Sequence, residues 1–503
     1  MWKGSPGRFD IVKYSARYCC IDTQVLKAGF EKFREMVLEA FDIDVHSHLT
    51  IASIADQFYV DQGVYRDVFE LRGLARDFIA QANVGGRVMM KDNSKHRFVS
   101  DESNLFATLD DLDAVSLYPS AQLRLTKELG GILKGKPKVW KPGIDLAKAD
   151  GYFVKIHISD IKKNMTLPVL RILENGKANW TSDLVGKEVV VDRVQHEDLI
   201  RFHGAECEVL QGFYFDEGRN GRMGEVAEYV FERRAILKKQ GNPLQEVMKL
   251  VMNSAYGKNG QKPVECNVRY IASDKIDRFI ANNFDKIASM TPVNDSLTRV
   301  EVYVEVDNSF NRQHVSCEVL SMAKRIVNEV AEIFDEVGHP VHMTDTDSLH
   351  VRSDAISDVE RIYKERYDRD LQGDALGQFH CDFEKLGSDF ECDFDSGECQ
   401  LRKGSTPKAV ESIFLAKKVY CDRIKDDRGR EGLHFRMKRV PRRVLLDHAE
   451  RDFGGDVMEL YRHLLIGERY RFDLKAGGST VFRTHRDHSV HTLETSWLEV
   501  QFL

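Results

Sequence analysis

The segment MTDTDS places Asp345 and Asp347 two residues apart, and Asp113 stands near the end of another apolar run, DLDAVSLYPS. An aspartate is expensive to bury in such a run unless something compensates its charge. If the segment around Asp345 is a strand, residues i and i+2 face the same side, and both carboxylates point at one place. Two acids that close repel each other, and one stays protonated unless a cation lies between them. Carboxylate-only coordination suits hard ions, Mg²⁺ above all, with Mn²⁺ as a substitute. Three carboxylates from two strands can hold two such ions ~3.5–4 Å apart, which activates an attacking oxygen and stabilises a leaving one in phosphoryl transfer. For DTD by itself, the plain alternative is a polar turn with Asx hydrogen bonds.

A second set of residues is cationic. In KLVMNSAYGK, Lys249, Asn253, Tyr256 and Gly257 fall at i, i+4, i+7 and i+8, one face of a helix. Val247, Leu250, Val251 and Ser254 fall mostly on the other side, which is expected to pack. The open face offers an ammonium for a triphosphate, an amide, and a ring beside bare backbone that makes a flat platform for a base pair. Lys238, about three turns upstream, adds a second cation. Asn242 suits the N-cap of this helix and Pro243 its first turn.

The elements that must carry these residues follow from pattern. Residues 24–41 and 318–337 read as amphipathic helices; in the second, Val319, Leu320, Ala323, Val327, Val330, Ala331 and Phe334 recur at helical spacing. Gly338 and Pro340 end it, and VHMTDTDSLHV alternates like a strand or hairpin. Residues 232–260 read as two helical pieces around GNP, and 127–143 as a basic, Gly/Pro-broken loop. With 503 residues the chain has room for about three domains at the ~150-residue prior. Its 42% hydrophobic and 30% charged residues fit a globular protein, and no apolar run reaches the ~18–20 residues of a membrane span. The start, MWKGSPGRFD, is too polar for a signal peptide. Nine cysteines without paired spacing suggest free thiols in an intracellular, reducing compartment, and Cys381, Cys392 and Cys399 lack zinc-site spacing. The net charge is −7, yet residues 402–443 hold fourteen Lys or Arg against five Asp or Glu, the footprint of a polyanion site.

In this order, the segments resemble family B DNA polymerases: DAVSLYPS is similar to their motif A, KLVMNSAYG to motif B and DTDS to motif C. KKVY at 417–420 resembles their Lys-x-Tyr motif, at Lys418 and Tyr420. The subfamily it resembles is the protein-primed one of phages, adenoviruses and linear plasmids. About 130 residues separate Asp113 from Lys249 and about 90 separate Gly257 from Asp345, gaps in which that subfamily carries insertions for the priming protein and for encircling DNA. LGQFHCDFE (376–384) and FRMKRVP (435–441) are similar to the lead-in to Lys-x-Tyr and to a phosphate-facing thumb loop containing Lys438. YCCID, Tyr18 to Asp22, resembles the third exonuclease motif, and NVGGR (83–87) the segment that joins exonuclease to polymerase, with Asn83 or Val84 where a Tyr is expected.

The resemblance implies an α+β, right-hand fold of palm, fingers and thumb behind a truncated exonuclease-like remnant. The expected parts are a remnant and linker at 1–100 and a palm at 101–425. Fingers near 226–262 and insertions near 122–225 and 263–310 interrupt the palm, and a thumb follows at 426–503. It implies template-directed synthesis from dNTPs on a DNA template-primer, with a terminal protein as primer, and no proofreading from this chain alone. Asp113 and Asp347 would hold two Mg²⁺ ions, with Asp345 auxiliary in the same cluster. Lys249 and Lys238, with the backbone amides of Ser116, Leu117 and Tyr118, would meet the triphosphate. Tyr118 would exclude a 2′-hydroxyl. Asn253 and Tyr256 would check the nascent pair beside Gly257, and Lys418, Tyr420 and Lys438 would hold DNA phosphates. The alternative is a catalytically idle DNA-binding relic.

Overall fold

The computed structural model describes residues 10–100, 107–174, 177–261, 266–303, 311–392, 399–403, 405–474, 482–484, 490–492 and 497–502. The parts of the expected second insertion and thumb that fall between these lie outside the described residues.

Nine strands make the central sheet: β1 (Val88–Met90), β2 (His96–Val99), β3 (Leu109–Ala114), β4 (Met343–Asp345), β5 (Ser348–Arg352), β6 (Phe379–Cys381), β7 (Lys408–Ala416), β8 (Val419–Lys425) and β9 (Glu431–Met437). Its order is β1-β4-β5-β3-β7-β8-β9, with β6 also pairing β3 and β2 pairing β7. Every one of these pairs is antiparallel. Buried on both faces, β3 carries Leu109, Leu112 and Ala114 alongside three acids. The sheet outruns the span 101–425 at both ends, because β1 and β2 precede it and β9 follows it.

Eight helices matter for the site: α1 (Ile11–Phe41), α2 (Ile51–Asp61), α3 (Leu117–Leu129), α4 (Arg222–Lys239), α5 (Leu244–Asn259), α6 (Gln313–Glu336), α7 (Arg442–Phe453) and α8 (Val457–Leu465). The helix expected at 318–337 is α6, begun five residues earlier. It is buried almost all round, as a helix enclosed by other elements must be. Its apolar residues pack with those of α3 and α5 in one core. Its charges are paired inside: Glu318 with Arg219 at 2.7 Å, Arg325 with Asp198 at 2.6 Å, and Glu329 with Arg124.

The two helical pieces around GNP are α4 and α5, and α4 starts ten residues before the expected 232. The N-cap of α5 is Pro243, one place later than expected, and Asn242 before it accepts the Leu244 N–H at 2.9 Å. Residues 138–215 contain a four-stranded antiparallel sheet and 266–303 a three-stranded one, inside the two expected insertions. The basic stretch 127–143 finishes α3 and then supplies short strands at Ile132–Leu133 and Lys138–Val139.

The expected helix at 24–41 begins thirteen residues earlier, at Ile11. Tyr18 and Asp22 sit one turn apart on its exposed portion, where Asp22 pushes the Tyr18 hydroxyl up.

Candidate active site

The hairpin β4–β5 turns at Thr346 and Asp347. Thr346 has φ +76°, and the Asp347 N–H donates to the Asp345 carbonyl at 3.0 Å. The even alternation expected for Asp345 and Asp347 therefore breaks: one ends a strand and the other sits in the turn. Two neighbours hold the turn. The Thr346 N–H donates to the Arg87 carbonyl at 2.8 Å, and the Ala114 N–H donates to the Asp347 carbonyl at 2.9 Å. Asp113 pairs Ser348 in the register of β3 with β5, so Asp113 and Asp347 come from adjacent strand ends.

NVGGR thus lies against the acidic turn. A Cβ on Gly86 would stand 2.3 Å from Thr346 Cγ2, so only glycine permits this approach. Behind it, the Arg87 guanidinium is buried and donates to the carbonyls of Leu167 and Pro168 and to Asn328.

Burial, then the charge of Asp347, pushes the Asp113 carboxyl up to about 8. Burial also pushes Asp347 up, with Asp345 adding to the effect and Lys418 opposing it. Folded Asp113 keeps a proton that the unfolded chain releases near its ordinary ~pH 4. Metal-free stability therefore falls as pH rises from about 4 to about 8. A dication that replaces the proton restores it. Mg²⁺ is expected to raise the unfolding temperature of the chelator-treated chain by several degrees more near pH 8.5 than near pH 6. Equal shifts at the two pH values would contradict this reading of the pair.

Asp345 is engaged elsewhere. Lys418 Nζ donates to its Oδ1 at 2.5 Å and Arg436 to its Oδ2 at 3.4 Å. Lys418 occupies the β7–β8 turn at φ +63°, and its carbonyl accepts the Lys438 N–H at 3.0 Å. Lys418, Arg436, Lys438, Arg439 and Arg442 line one groove, with Arg442 lying 4.2 Å over the Phe435 ring. Of these, the motif readings singled out only Lys418 and Lys438. The arginines were legible only as members of a basic run.

Tyr420 departs from expectation. It is 5% exposed, and its ring packs 5.2 Å from His350 and 5.5 Å from His434. It is a wall of the sheet's interior, in a run where Val419, Cys421 and Asp422 are buried as well, and it faces inward rather than toward a phosphate backbone.

α3 begins directly after β3. Ser116 is its left-handed N-cap at φ +48°, and the amides of Ser116, Leu117 and Tyr118 donate to no acceptor among the described residues. Such a helix start suits an anion. Leu117 is buried, while Tyr118 is half-buried and stacks on Tyr256 of α5 with centroids 4.1 Å apart and planes 23° apart. Burial pushes both hydroxyls up, and Asp347 contributes to both, which places this stack beside the acids.

On α5, Lys249, Asn253 and Gly257 are exposed, as is Lys238 on α4. The side chains of Lys238, Lys249 and Asn253 have no partner among the described residues. The buried face is Leu244, Val247, Met248, Val251, Met252 and Ala255. Leu250, expected to pack, is 45% exposed, because Met248 and Met252 occupy the inward stripe instead.

The model of the family "DNA polymerase type B, organellar and viral" matches residues 2–332. A protein of Agaricus bitorquis described as "Probable DNA polymerase" is 24% identical over 313 residues, 60% of this chain and 36% of that protein. The chain therefore spans about a third of that relative's length. The solved Phi29 DNA polymerase complexed with primer-template DNA and incoming nucleotide substrates is similar in fold, with a TM-score of 0.57 at 13% identity. That match covers 90% of this chain and 67% of the other. The Phi29 complex with primer-template DNA alone gives a TM-score of 0.52 at 12% identity, over 79% and 61% of the two chains. With its acids, stacked tyrosines and basic groove set out on a sheet of that same fold, the chain belongs to the type B DNA polymerases of organelles and viruses.

Proposed function

We propose that this chain extends a DNA primer on a template with dNTPs, and that in its biological setting a terminal protein provides the first hydroxyl. The observation that carries the reading is the convergence of Asp113 and Asp347 at adjacent strand ends beside the Tyr118–Tyr256 stack. The family uses divalent cations, and the residues fit them: two half-buried carboxyls, pushed up by burial and by neighbouring acids, are relieved by positive charge between them. Bound by Asp113 and Asp347, two Mg²⁺ ions, or Mn²⁺ in their place, would activate the attacking oxygen and stabilise charge on the departing pyrophosphate.

The chain's own residues do the rest. Lys249 and Lys238, exposed and unpaired among the described residues, bind the triphosphate, and the free amides at the start of α3 receive its oxygens. Asn253 and Gly257 lie on the same helix as Tyr256 and face the nascent base pair. Lys418, Arg436 and Lys438 hold the primer strand by its phosphates, contacts that position without reading sequence. Asp345 fixes Lys418 in that groove and acts on the reaction through it. What supports protein priming is the likeness to Phi29 polymerase together with the sheets at 138–215 and 266–303, inside the two expected insertions. Asp22, one carboxylate on an exposed helical turn, makes no two-ion site, and this chain alone is expected to leave a mismatched 3′ end uncut.

Primer extension tests the proposal. Mg²⁺-dependent, template-matched incorporation supports it, and binding of primer-template without incorporation would identify an idle relic. Sugar selectivity tests Tyr118 separately. Tyr118→Val is expected to relax discrimination against ribonucleotides by roughly 10- to 200-fold, the range one pocket contact governs, while DNA synthesis continues. Unchanged selectivity would remove Tyr118 from that role.

A further inference from the structure

Two residues before Asp113, on the same face of β3, Asp111 points into a buried cluster that the proposed polymerase chemistry does not use. Asp111 is 3% exposed, His350 of β5 1% and Asp422 of β8 0%, with His434 of β9 half-buried at the rim. Rings of Phe383, Phe414 and Tyr420 surround His350 at 5.2–6.2 Å. One oxygen of Asp422, Oδ2, lies 3.3 Å from His350 Nε2 and 3.3 Å from His434 Nδ1. An ionised carboxylate only accepts, so these two nitrogens carry the hydrogens.

That assignment leaves His350 Nδ1 and His434 Nε2 with free lone pairs. His350 Nδ1 lies 3.4 Å from Asp111 Oδ1, and neither atom has a hydrogen-bond partner among the described residues. Ligand atoms from Asp111, His350 and His434 all fall within 4.8 Å of one another. A carboxylate that accepts the second ring N–H of a histidine is how proteins orient imidazoles toward a metal, and here one carboxylate serves two.

We propose that Asp111, His350 and His434 bind a single transition-metal dication, zinc being the best chemical match, with Asp422 as their shared outer carboxylate. Two imidazoles and a carboxylate are borderline ligands that suit zinc and leave a fourth position for water. Bonds of ~2.0–2.2 Å require the ligand atoms to close by about 1 Å, a movement within reach of side-chain rotation. The ion would bind β3, β5 and β9 to one another beneath the catalytic acids. Two positive charges would match the two buried carboxylates, Asp111 and Asp422. Without a metal, His350 itself must serve as the cation: burial lowers its affinity for a proton, but Asp111 and Asp422 overcome this and raise it to about 9.

The experiment is elemental analysis of the full chain after dialysis into zinc-free, Mg²⁺-containing buffer, followed by Co²⁺ exchange and visible spectroscopy. About one zinc per chain, replaced by cobalt with a tetrahedral spectrum and retained by the Asp113→Ala/Asp347→Ala variant, is expected. His350→Ala and His434→Gln should lose it, and Asp422→Asn should weaken binding about 10- to 100-fold. His434 is at the rim, so His434→Gln remains informative if His350→Ala fails to fold. Wild-type chain that neither retains nor takes up zinc would overturn the site and leave His350 as a buried imidazolium. Zinc lost from the Asp113→Ala/Asp347→Ala variant but kept by His434→Gln would overturn it too, by placing the metal at the catalytic acids.

Discussion

Asp347→Ala is expected to reduce the rate of dNTP incorporation on a primed template by at least about 10³-fold, or roughly 4 kcal/mol of barrier, and Asp113→Ala to do the same. The two carboxylates stand at strand ends locked by the Asp113–Ser348 register and by the bond from the Ala114 N–H to the Asp347 carbonyl. Removing either leaves one acid facing a triphosphate with half its cation-binding charge. Asp345→Ala is a different experiment, although Asp345 belongs to the same DTD. Its carboxylate is held by Lys418 and Arg436, so its loss frees the groove cations and should act first on primer-template affinity. Single-turnover incorporation and DNA titration with the three variants separate these effects. An Asp347→Ala chain within tenfold of wild type would contradict the assignment.

Gly86→Ala is expected to cost about 10²-fold in incorporation, although residue 86 touches no substrate in this account. The added methyl would lie 2.3 Å from Thr346 Cγ2 and 2.9 Å from Thr346 Oγ1, and the backbone of Thr346 is already committed to φ +76°. The turn that carries Asp347 must move, and displacement of a catalytic group by about 1 Å suffices for a loss of that size. Two controls isolate the cause. Gly85→Ala meets nothing within 4 Å and should leave both the rate and the unfolding temperature near wild type. Thr346→Gly in the Gly86→Ala background removes the obstructing side chain and places glycine at a positive φ, and should recover most of the rate. A Gly86→Ala chain as active as Gly85→Ala would show that the NVGGR segment does not position the turn.

Local patterns were legible where apolar residues recur periodically. Helix α6 is one such case, since its apolar residues recur from Val319 to Phe334, about four turns, and the α4–α5 pair is another, punctuated by Gly-Asn-Pro. The acids at 113 and 347 were legible as candidates because Asp113 ends an apolar strand pattern and Asp347 lies in the alternating segment VHMTDTDSLHV. The relation of Asp345 to Asp347 was not, because a single left-handed residue, Thr346, converts an even strand into a turn and sends the two carboxylates to different partners. Lys418, which claims Asp345, is 73 positions away, and no local spacing announces it. Tyr420 was read outward from its motif, but the pleat of β8 sends it inward against His350. The first thirteen residues of α1 were not legible for the opposite reason: Ile11, Val12, Tyr14, Tyr18 and Ile21 are exposed apolar residues, so no buried stripe marks that part of the helix. The Asp111–His350–Asp422–His434 cluster draws on four strands, and sequence spacing carries no trace of it.

Asp113 and Asp347 are expected to act jointly on the same cations. The most direct measurement is Mn²⁺ paramagnetic resonance on the full chain bound to a primer-template with a 3′-dideoxy end, before and after a matching dNTP is added. Nucleotide-dependent Mn²⁺ uptake by the wild type, lost equally in Asp113→Ala and in Asp347→Ala and retained in Asp22→Ala, is the predicted result. Full uptake by either Asp113→Ala or Asp347→Ala alone would contradict it.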